Sequence, residues 1–269
     1  MNSDTPIRPR YRLVLLVVAL LILLLGVAWF QQPDGRMHIH IFDTPGDAAL
    51  IQTPGGRFVL LDGGSDGSSL TLHLGQLLPF WQRELYAVIL TAPGGLRMGG
   101  QVAAMARYQP TLALAPPALG HNGAAGEWRR LAAQGTLRNL TPGQRLDLDG
   151  AILTVLATAA GEQGGSVLLL RYGATQALFH TGGTAGDAAA LAVAGQPVDL
   201  LVYPWQRNPA LMTDLRPQAT VFSETYSAAN PVLLTFAERR RYSPQVFHPK
   251  ADGHIHFTSD GRSLVASGE

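Results

Sequence analysis

The stretch Tyr86-Ala-Val-Ile-Leu-Thr91-Ala92-Pro93-Gly94-Gly95-Leu96-Arg97-Met98-Gly99-Gly100 decides the fold of this chain of 269 residues. Residues 87–90 are solidly apolar, which is typical of a strand that is covered on both faces. Residues 91–98 predict a loop, and the alanine-rich residues 99–107 predict a helix. The stretch therefore predicts a buried strand that leads through a short loop into a helix.

Short β-rich runs and Ala/Leu-rich helical runs alternate along the chain from residue 37 onward. Predicted strands cover 37–43, 47–53, 57–62, 86–91, 111–115, 151–157, 166–172, 175–180, 198–203, 218–222, 244–248, 254–258 and 262–266. Predicted helices cover 66–79, 99–107, 122–134, 185–194 and 228–241. The order fits an α/β (α+β) domain, a sandwich of two mixed sheets with helices on its outer faces.

The loop 91–98 resembles the metal-binding stretch of the metallo-β-lactamase fold. In that family a hydrophobic strand runs into Thr-His-x-His-x-Asp-His and then into a helix that starts with Gly-Gly. Laid on this pattern, the ligand positions hold Ala92, Gly94, Leu96 and Arg97. Alanine, glycine and leucine have no donor atom, and arginine is a fixed cation. The resemblance thus implies the αββα fold without the zinc or manganese that the family uses.

Further segments resemble one branch of this family, the C-terminal domain of the ComEC proteins of DNA-internalisation competence. Residues 37–64 are similar to its opening, which ends in Asp-Gly-Gly. Residues 181–183 stand where the family has Thr-Gly-Asp, and the aspartate is replaced by glycine. Residues 204–206 stand where it has Pro-His-His, and both histidines are replaced. The match runs in order over about residues 37–266.

The resemblance also implies where a site would lie. The loops 91–98, 181–184 and 204–207 should converge on one edge of a metallo-β-lactamase-like domain formed by residues 37–269. We predict no catalytic residue, no metal ligand and no cofactor in this pocket, because its ligand positions are substituted. The candidates for residues of the degenerate pocket are Asp43, Asp47, Asp62, Thr91, Arg97, His180 and Trp205. Asp62 is expected to hold the glycine turn that follows it.

The N-terminal segment carries a membrane signal. Residues 13–30 form an unbroken run of eighteen uncharged, mostly aliphatic residues. As a helix they span roughly 27 Å at 1.5 Å per residue, which is enough to cross a bilayer. The arginines of residues 1–12 place that tail in the cytoplasm by the positive-inside rule. We predict a single-pass cell-membrane protein in which residues 31–36 link the transmembrane helix to an extracytoplasmic domain. A cleaved signal peptide is the alternative, although its apolar region usually has about 7–15 residues.

Charge and cysteine content restrict the function further. The chain has 20 basic and 19 acidic residues, and the part after the apolar run has 17 and 18, a net charge of −1. Nucleic-acid binders usually carry a clear positive excess, because neutralising phosphates supplies much of their affinity. The composition therefore disfavours nucleic acid as a partner, although the resemblance to ComEC suggests it. Cysteine is absent, which excludes disulfides.

Two histidine pairs are the remaining metal candidates. His38 and His40, like His254 and His256, are spaced i, i+2 on predicted strands, so the rings of each pair share one sheet face. Four neutral imidazoles can bind Zn, Cu or Ni if the two strands are neighbours. The resemblance places the strands in opposite halves of the fold, which favours the alternative that the histidines simply occupy a solvated face.

Three functions fit this sequence. The one that fits best is a membrane-anchored, catalytically inactive ComEC-like protein with a structural role or with an unknown protein or small molecule as its partner. In that case Arg97 is a candidate contact for an anion. The second is a metal-dependent hydrolase or nuclease with a metal site outside the family pattern. The third is a component of DNA uptake. Two-metal hydrolysis needs several His and Asp ligands, and the sequence has no serine elbow, P-loop or cysteine nucleophile to replace them.

Overall fold

The computed structural model describes residues 9–30, 32–120, 123–158, 165–192, 198–202, 209–223 and 243–267. They fall into two units, Met1–Asp34 and Gly35–Glu269. In the first unit, helix α1 runs over Pro9–Phe30. Among the described residues, no helix meets the length and hydropathy that a membrane span requires. The transmembrane assignment of residues 13–30 therefore stays a prediction.

The second unit is built on two sheets. Its strands are β1 Met37–Ile41, β2 Ala48–Gln52, β3 Phe58–Asp62, β4 Glu84–Ile89, β5 Gln109–Ala115, β6 Thr136–Asn139, β7 Arg145–Leu148, β8 Ala151–Thr158, β9 Ser166–Tyr172, β10 Thr175–His180, β11 Leu200–Val202, β12 Ala219–Val221, β13 Gln245–Phe247, β14 Ile255–Ser259 and β15 Leu264–Ser267. The first sheet has the order β15-β14-β1-β2-β3-β4-β5-β6, and the second has the order β13-β12-β11-β10-β9-β8-β7. Both sheets mix parallel and antiparallel pairs, as predicted.

Helices cover the outer faces of both sheets. Their bounds are α2 Gly67–Leu77, α3 Gly95–Arg107, α4 Gly123–Ala132, α5 Asp187–Leu191, α6 Pro209–Leu215 and α7 Pro249–Asp252. One apolar core lies between the sheets and draws on residues of both, such as Ile39 and Phe179. A second core packs α2, α3 and α4 on the first sheet, and a third packs α5 and α6 on the second. The layers are helix, sheet, sheet, helix.

Glycines set the distance between α3 and the turn after β3. A Cβ on Gly100 would collide with the carbonyl oxygen of Gly63, and a Cβ on Gly63 would collide with the backbone nitrogen of Gln101. The Gly100 N–H donates to the carbonyl of Gly64 at 2.9 Å. Only residues without a side chain allow this approach, so the Gly-Gly pairs serve backbone packing.

The structure differs from the predicted elements in several places, and β6, β7, α6 and α7 were not predicted. The helix α3 begins at Gly95, four residues before the predicted start, and its first turn is held by Asp47, whose N–H donates to the Leu96 carbonyl and whose side chain accepts from Arg97. The edge strand β6 was not predicted, since all four of its residues are exposed and no apolar alternation marks it. The predicted helix 228–241 lies outside the described residues.

Candidate functional site

Loops of the two sheets meet at Ser166, the first residue of β9. Its hydroxyl donates to the carbonyl of Thr91 at 2.8 Å, and its N–H donates to the hydroxyl of Thr181 at 3.1 Å. Thr91 follows β4 of the first sheet, and Thr181 follows β10 of the second. The predicted convergence of loops 91–98 and 181–184 is thus present in the structure. The third loop, 204–207, lies outside the described residues, and Trp205 lies there with it.

A buried arginine and two carboxylates occupy this edge. Asp47, in the loop between β1 and β2, has no exposed surface, and Arg97, in the first turn of α3, is 9 % exposed. The Arg97 guanidinium donates to Asp47 Oδ2 from Nε at 3.1 Å and from Nη2 at 2.8 Å. Its Nε also lies 3.6 Å from Asp62 Oδ2. The hydroxyl of Ser223 donates to Asp47 Oδ1 at 2.5 Å. We call Asp47, Asp62 and Arg97 the charged triad.

Asp62 ends β3 with a backbone φ of 53°, in the left-handed region. Its Oδ1 accepts the Thr91 N–H at 2.8 Å, and its Oδ2 accepts the Thr91 hydroxyl at 2.5 Å. Burial raises the pKa of Asp62 to about 7, although Arg97 and the two Thr91 bonds favour the ionised form. Through its two bonds to Thr91, the Asp62 carboxylate holds the loop that follows β4. The sequence predicts instead that it holds the glycine turn after it.

His180, the last residue of β10, is fully buried and pairs with Asp187 at the start of α5. Its Nε2 lies 3.0 Å from Asp187 Oδ1. A Cβ on Gly186 would lie 3.3 Å from the His180 ring, so a larger residue there would press on it. Burial lowers the pKa of His180, and the nearby Asp187 opposes this. Among the described residues, Nδ1 of this ring has no hydrogen-bond partner. The sequence analysis missed Asp187, for which an acidic residue at a helix start is a weak signal.

The six candidates that the structure describes thus fall into three groups. The structure brings Asp47, Asp62, Thr91 and Arg97 into one hydrogen-bonded cluster. His180 is paired with Asp187, and Asp43 is exposed in the loop between β1 and β2.

The family's two-metal arrangement does not fit these residues. Four of its ligand positions offer no donor or a fixed cation, and Asp47 and Asp62 already accept from Arg97, Ser223 and Thr91. Because Arg97 faces carboxylates, its charge is already compensated inside the protein. The structure therefore does not support the predicted use of Arg97 as an anion contact.

The predicted positions of the two histidine pairs were wrong in one respect. Strands β1 and β14 are direct antiparallel neighbours, with His40 opposite His256, and do not lie in opposite halves of the fold. The shared face of each pair is as predicted, but the face is not simply solvated, because His40 is only 6 % exposed. The condition that the two strands are neighbours, which metal binding by these histidines requires, is therefore met.

No protein-family model matches the chain, and no curated protein matches it by sequence. Solved structures do match. Zn(2+)-bound PqqB from Methylobacterium extorquens superposes with a TM-score of 0.59 at 13% identity, covering 82% of this chain and 99% of that one. The metallo-β-lactamase fold protein YhfI from Bacillus subtilis gives 0.55 at 13% identity, over 79% of this chain and 96% of that one. The chain has a metallo-β-lactamase fold.

A third structure with this fold is Tm1679, described as a metal-dependent hydrolase of the β-lactamase superfamily. It superposes with a TM-score of 0.54 at 12% identity and covers 87% of this chain and 100% of that one. At such identities the likeness establishes the metallo-β-lactamase fold alone. The closer resemblance to ComEC stays a prediction.

Proposed function

We propose that this chain is a catalytically inactive metallo-β-lactamase-fold protein that acts by binding and not by hydrolysis. In the same proposal, residues 13–30 anchor it in the cell membrane and the domain 37–269 lies outside the cytoplasm. The observation that carries the proposal is the charged triad, in which a guanidinium belonging to the protein stands among the carboxylates of the pocket edge.

The first supporting argument is the supply of ligands. A hydrolytic metal site needs about three fixed donors and an open position for water or substrate. Asp47 is the acceptor of two Arg97 bonds and one Ser223 bond, and Asp62 is the acceptor of two Thr91 bonds. A metal ion would have to displace these bonds from fully buried side chains.

The second argument is electrostatic. Two unit charges 4 Å apart interact by about 4 kcal/mol at an effective dielectric of 20, so a divalent ion at that distance from Arg97 meets a repulsion of about 8 kcal/mol. The guanidinium offsets one of the two carboxylate charges of the triad without any ion. Arg97 thus supports the folded pocket in the way a bound cation would.

One observation favours the second candidate, a metal-dependent hydrolase with a rebuilt site. His180 and Asp187 place a nitrogen and an oxygen 3.0 Å apart in a buried position, and the other ring nitrogen has no hydrogen-bond partner among the described residues. These are two donors, one fewer than a hydrolytic zinc site uses. We therefore rank this function below the inactive one.

Nucleic acid is not the partner we propose. A net charge of −1 over the part after the apolar run gives little counterion-driven affinity. A role in DNA uptake has the resemblance to ComEC as its support. The proposed partner is an unidentified protein or small molecule.

Turnover assays test the inactivity. The full-length chain, saturated in turn with Zn²⁺ and Mn²⁺, is expected to hydrolyse neither bis(p-nitrophenyl) phosphate nor nitrocefin above the buffer rate. Turnover that disappears in both His180→Gln and Asp187→Asn, with folding retained by circular dichroism, would establish the rebuilt site and end the proposal. Turnover that survives both substitutions would also end it and would place catalysis elsewhere.

The membrane topology can be tested separately, because the chain has no cysteine. Single cysteines introduced by Asn2→Cys and by Ser68→Cys, an exposed position, can be labelled with a membrane-impermeant maleimide in right-side-out vesicles. Labelling is expected at position 68 before lysis and at position 2 only after it. A soluble product that starts near residue 31 would show that the apolar segment is a cleaved signal.

A further inference from the structure

Five of the eight histidines of the chain lie together on the helix-covered face of the first sheet. Residues alternate on β1, so Ile39 and Ile41 enter the core between the sheets while His38 and His40 point to the other side. The register pairs His38 with Thr258 and His40 with His256. His254 and His73 extend the row toward α2, with ring centroids 6.0 Å apart. We call this set the histidine row.

Ring nitrogens within the row lie at ligand-pair distances. His38 Nδ1 is 3.0 Å from His256 Nε2, and Thr258 Oγ1 lies 3.4 Å and 3.3 Å from these two atoms. Zinc–nitrogen bonds of about 2.0–2.1 Å in a tetrahedral site give nitrogen–nitrogen edges of about 3.3 Å. The distance between the His38 and His256 nitrogens is thus close to one edge of such a tetrahedron.

His40 is placed to complete the set. One nitrogen from each of His38, His40 and His256 lies within 4.8 Å of the others. We propose that His38, His40 and His256 bind one divalent transition-metal ion of the class that prefers imidazole, represented by Zn²⁺, Ni²⁺ and Cu²⁺. This site is separate from the charged triad and goes beyond the proposed function.

The chemistry of the three side chains selects that class of ion. Neutral imidazole suits Zn, Ni and Cu, whereas Mg²⁺ and Ca²⁺ prefer oxygen ligands. His40 is only 6 % exposed, and burial favours the neutral imidazole, which is the form that binds a metal ion.

Little rearrangement is needed for binding. In the structure the rings are stacked, with 4.2 Å between the centroids of His40 and His256, and the His38–His256 contact is a shared N–H···N bond. Chelation needs rotation about χ2, which is a soft torsion in histidine, and a shift of the proton to the other ring nitrogen. The backbone ladder between β1 and β14 fixes the Cβ positions and can stay unchanged.

The experiment is metal binding by the full-length chain purified without a polyhistidine tag. Isothermal titration of the metal-stripped protein with Zn²⁺ and Ni²⁺ is expected to give one equivalent per chain. The protein loaded with one equivalent of Cu²⁺ is expected to show an electron paramagnetic resonance spectrum with hyperfine coupling to at least two nitrogens. The spectrum does not depend on any variant, so it tests the site even if a substitution disturbs folding.

Variants then locate the ion. His38→Gln and His256→Gln are each expected to weaken Zn²⁺ binding at least about 100-fold, since losing even an outer-shell partner of a ligand costs about 10–100-fold. His73→Gln, which changes an imidazole at the end of the row, is the matched control and should change the affinity less than about threefold. His180→Gln should also leave it unchanged, because His180 lies on the second sheet.

The outcomes separate this inference from the proposed function. Absence of an equivalent of bound metal, or binding that survives both His38→Gln and His256→Gln, overturns the site on the histidine row. Binding that is lost in His180→Gln alone also overturns it, and together with turnover it would overturn the proposed inactivity as well. Binding lost in the row variants with no turnover supports both proposals.

Discussion

The charged triad and the histidine row differ in the metal ligands they offer. The fold leads one to expect ligands at the triad, but the imidazoles lie in the row. The triad lies at the edge where the family has its metal loops, yet its carboxylates are bound to Arg97. The row lies on the helix side of the first sheet, where the family pattern has no ligand, yet it gathers imidazoles at 3.0–3.1 Å. The imidazoles of this domain thus gather at a place that differs from the edge where the family has its metal loops.

The largest effect on stability is expected when the cation of the triad is removed. Arg97→Leu leaves Asp47 and Asp62 buried without their partner, and breaking a buried ion pair in this way costs about 3–5 kcal/mol. Urea unfolding should show this loss in the free energy of unfolding. Arg107→Leu, at the exposed end of the same helix, is the matched control and should cost about 1 kcal/mol or less. Equal effects of the two variants would show that the triad is not a structural element.

The pH dependence of the free energy of unfolding tests the protonation of Asp62 in the triad. Because the pKa of Asp62 is about 7 in the folded protein and about 4 when unfolded, the folded chain holds a proton between these values that the unfolded chain has released. The free energy of unfolding should therefore fall as the pH rises from about 4 to 7, by at most about 4 kcal/mol from this group. Asp62→Asn cannot titrate and should remove this part of the slope. An identical slope in the variant would mean that Asp62 is ionised throughout.

Ser166→Ala tests the hydrogen bond that joins the two sheets at the pocket edge. It leaves the buried carbonyl of Thr91 without the Ser166 hydroxyl, which should cost about 1–3 kcal/mol. Ser68→Ala, at an exposed position, should stay within about 0.5 kcal/mol. Chemical denaturation of both variants measures the difference, and a Ser166 effect as small as that of Ser68 would contradict the structural role of this contact.

The smallest effect is expected in the row. His256→Gln in the metal-stripped protein weakens the partly buried contacts of its ring with His38 and Thr258, so it should cost about 1 kcal/mol. Its effect on stability should grow when Zn²⁺ is added, since an ion that binds only the folded state stabilises it. Differential scanning calorimetry with and without Zn²⁺ measures both values. A loss as large as that of Arg97→Leu without metal would assign the row a structural role instead.

The sequence predicted the layers well because apolar alternation and turn residues follow directly from burial. Residues 87–89 of the apolar run lie in β4, and the Gly-rich loop after the strand leads into α3 as expected. The sequence predicted the contacts within the pocket less well. The partner of a buried charge depends on which loops, distant in the chain, meet in the fold. Nothing near Arg97 in the chain marks Asp47 as its partner, fifty residues away. The neighbourhood of β1 and β14 was missed for the same reason, because their pairing spans more than two hundred residues.

The contact between Gly63 and Gly100 has a consequence for how such proteins are found. No side chain fits at either position, whether or not the edge beside them holds an ion. Selection for folding alone is then enough to keep these glycines, while the donors a few residues away are free to change into alanine, leucine or arginine. A search that requires the donors will pass over chains of this kind. A search built on the paired glycines and the buried strand before them can retrieve chains with and without the donors, and the donors can then sort them.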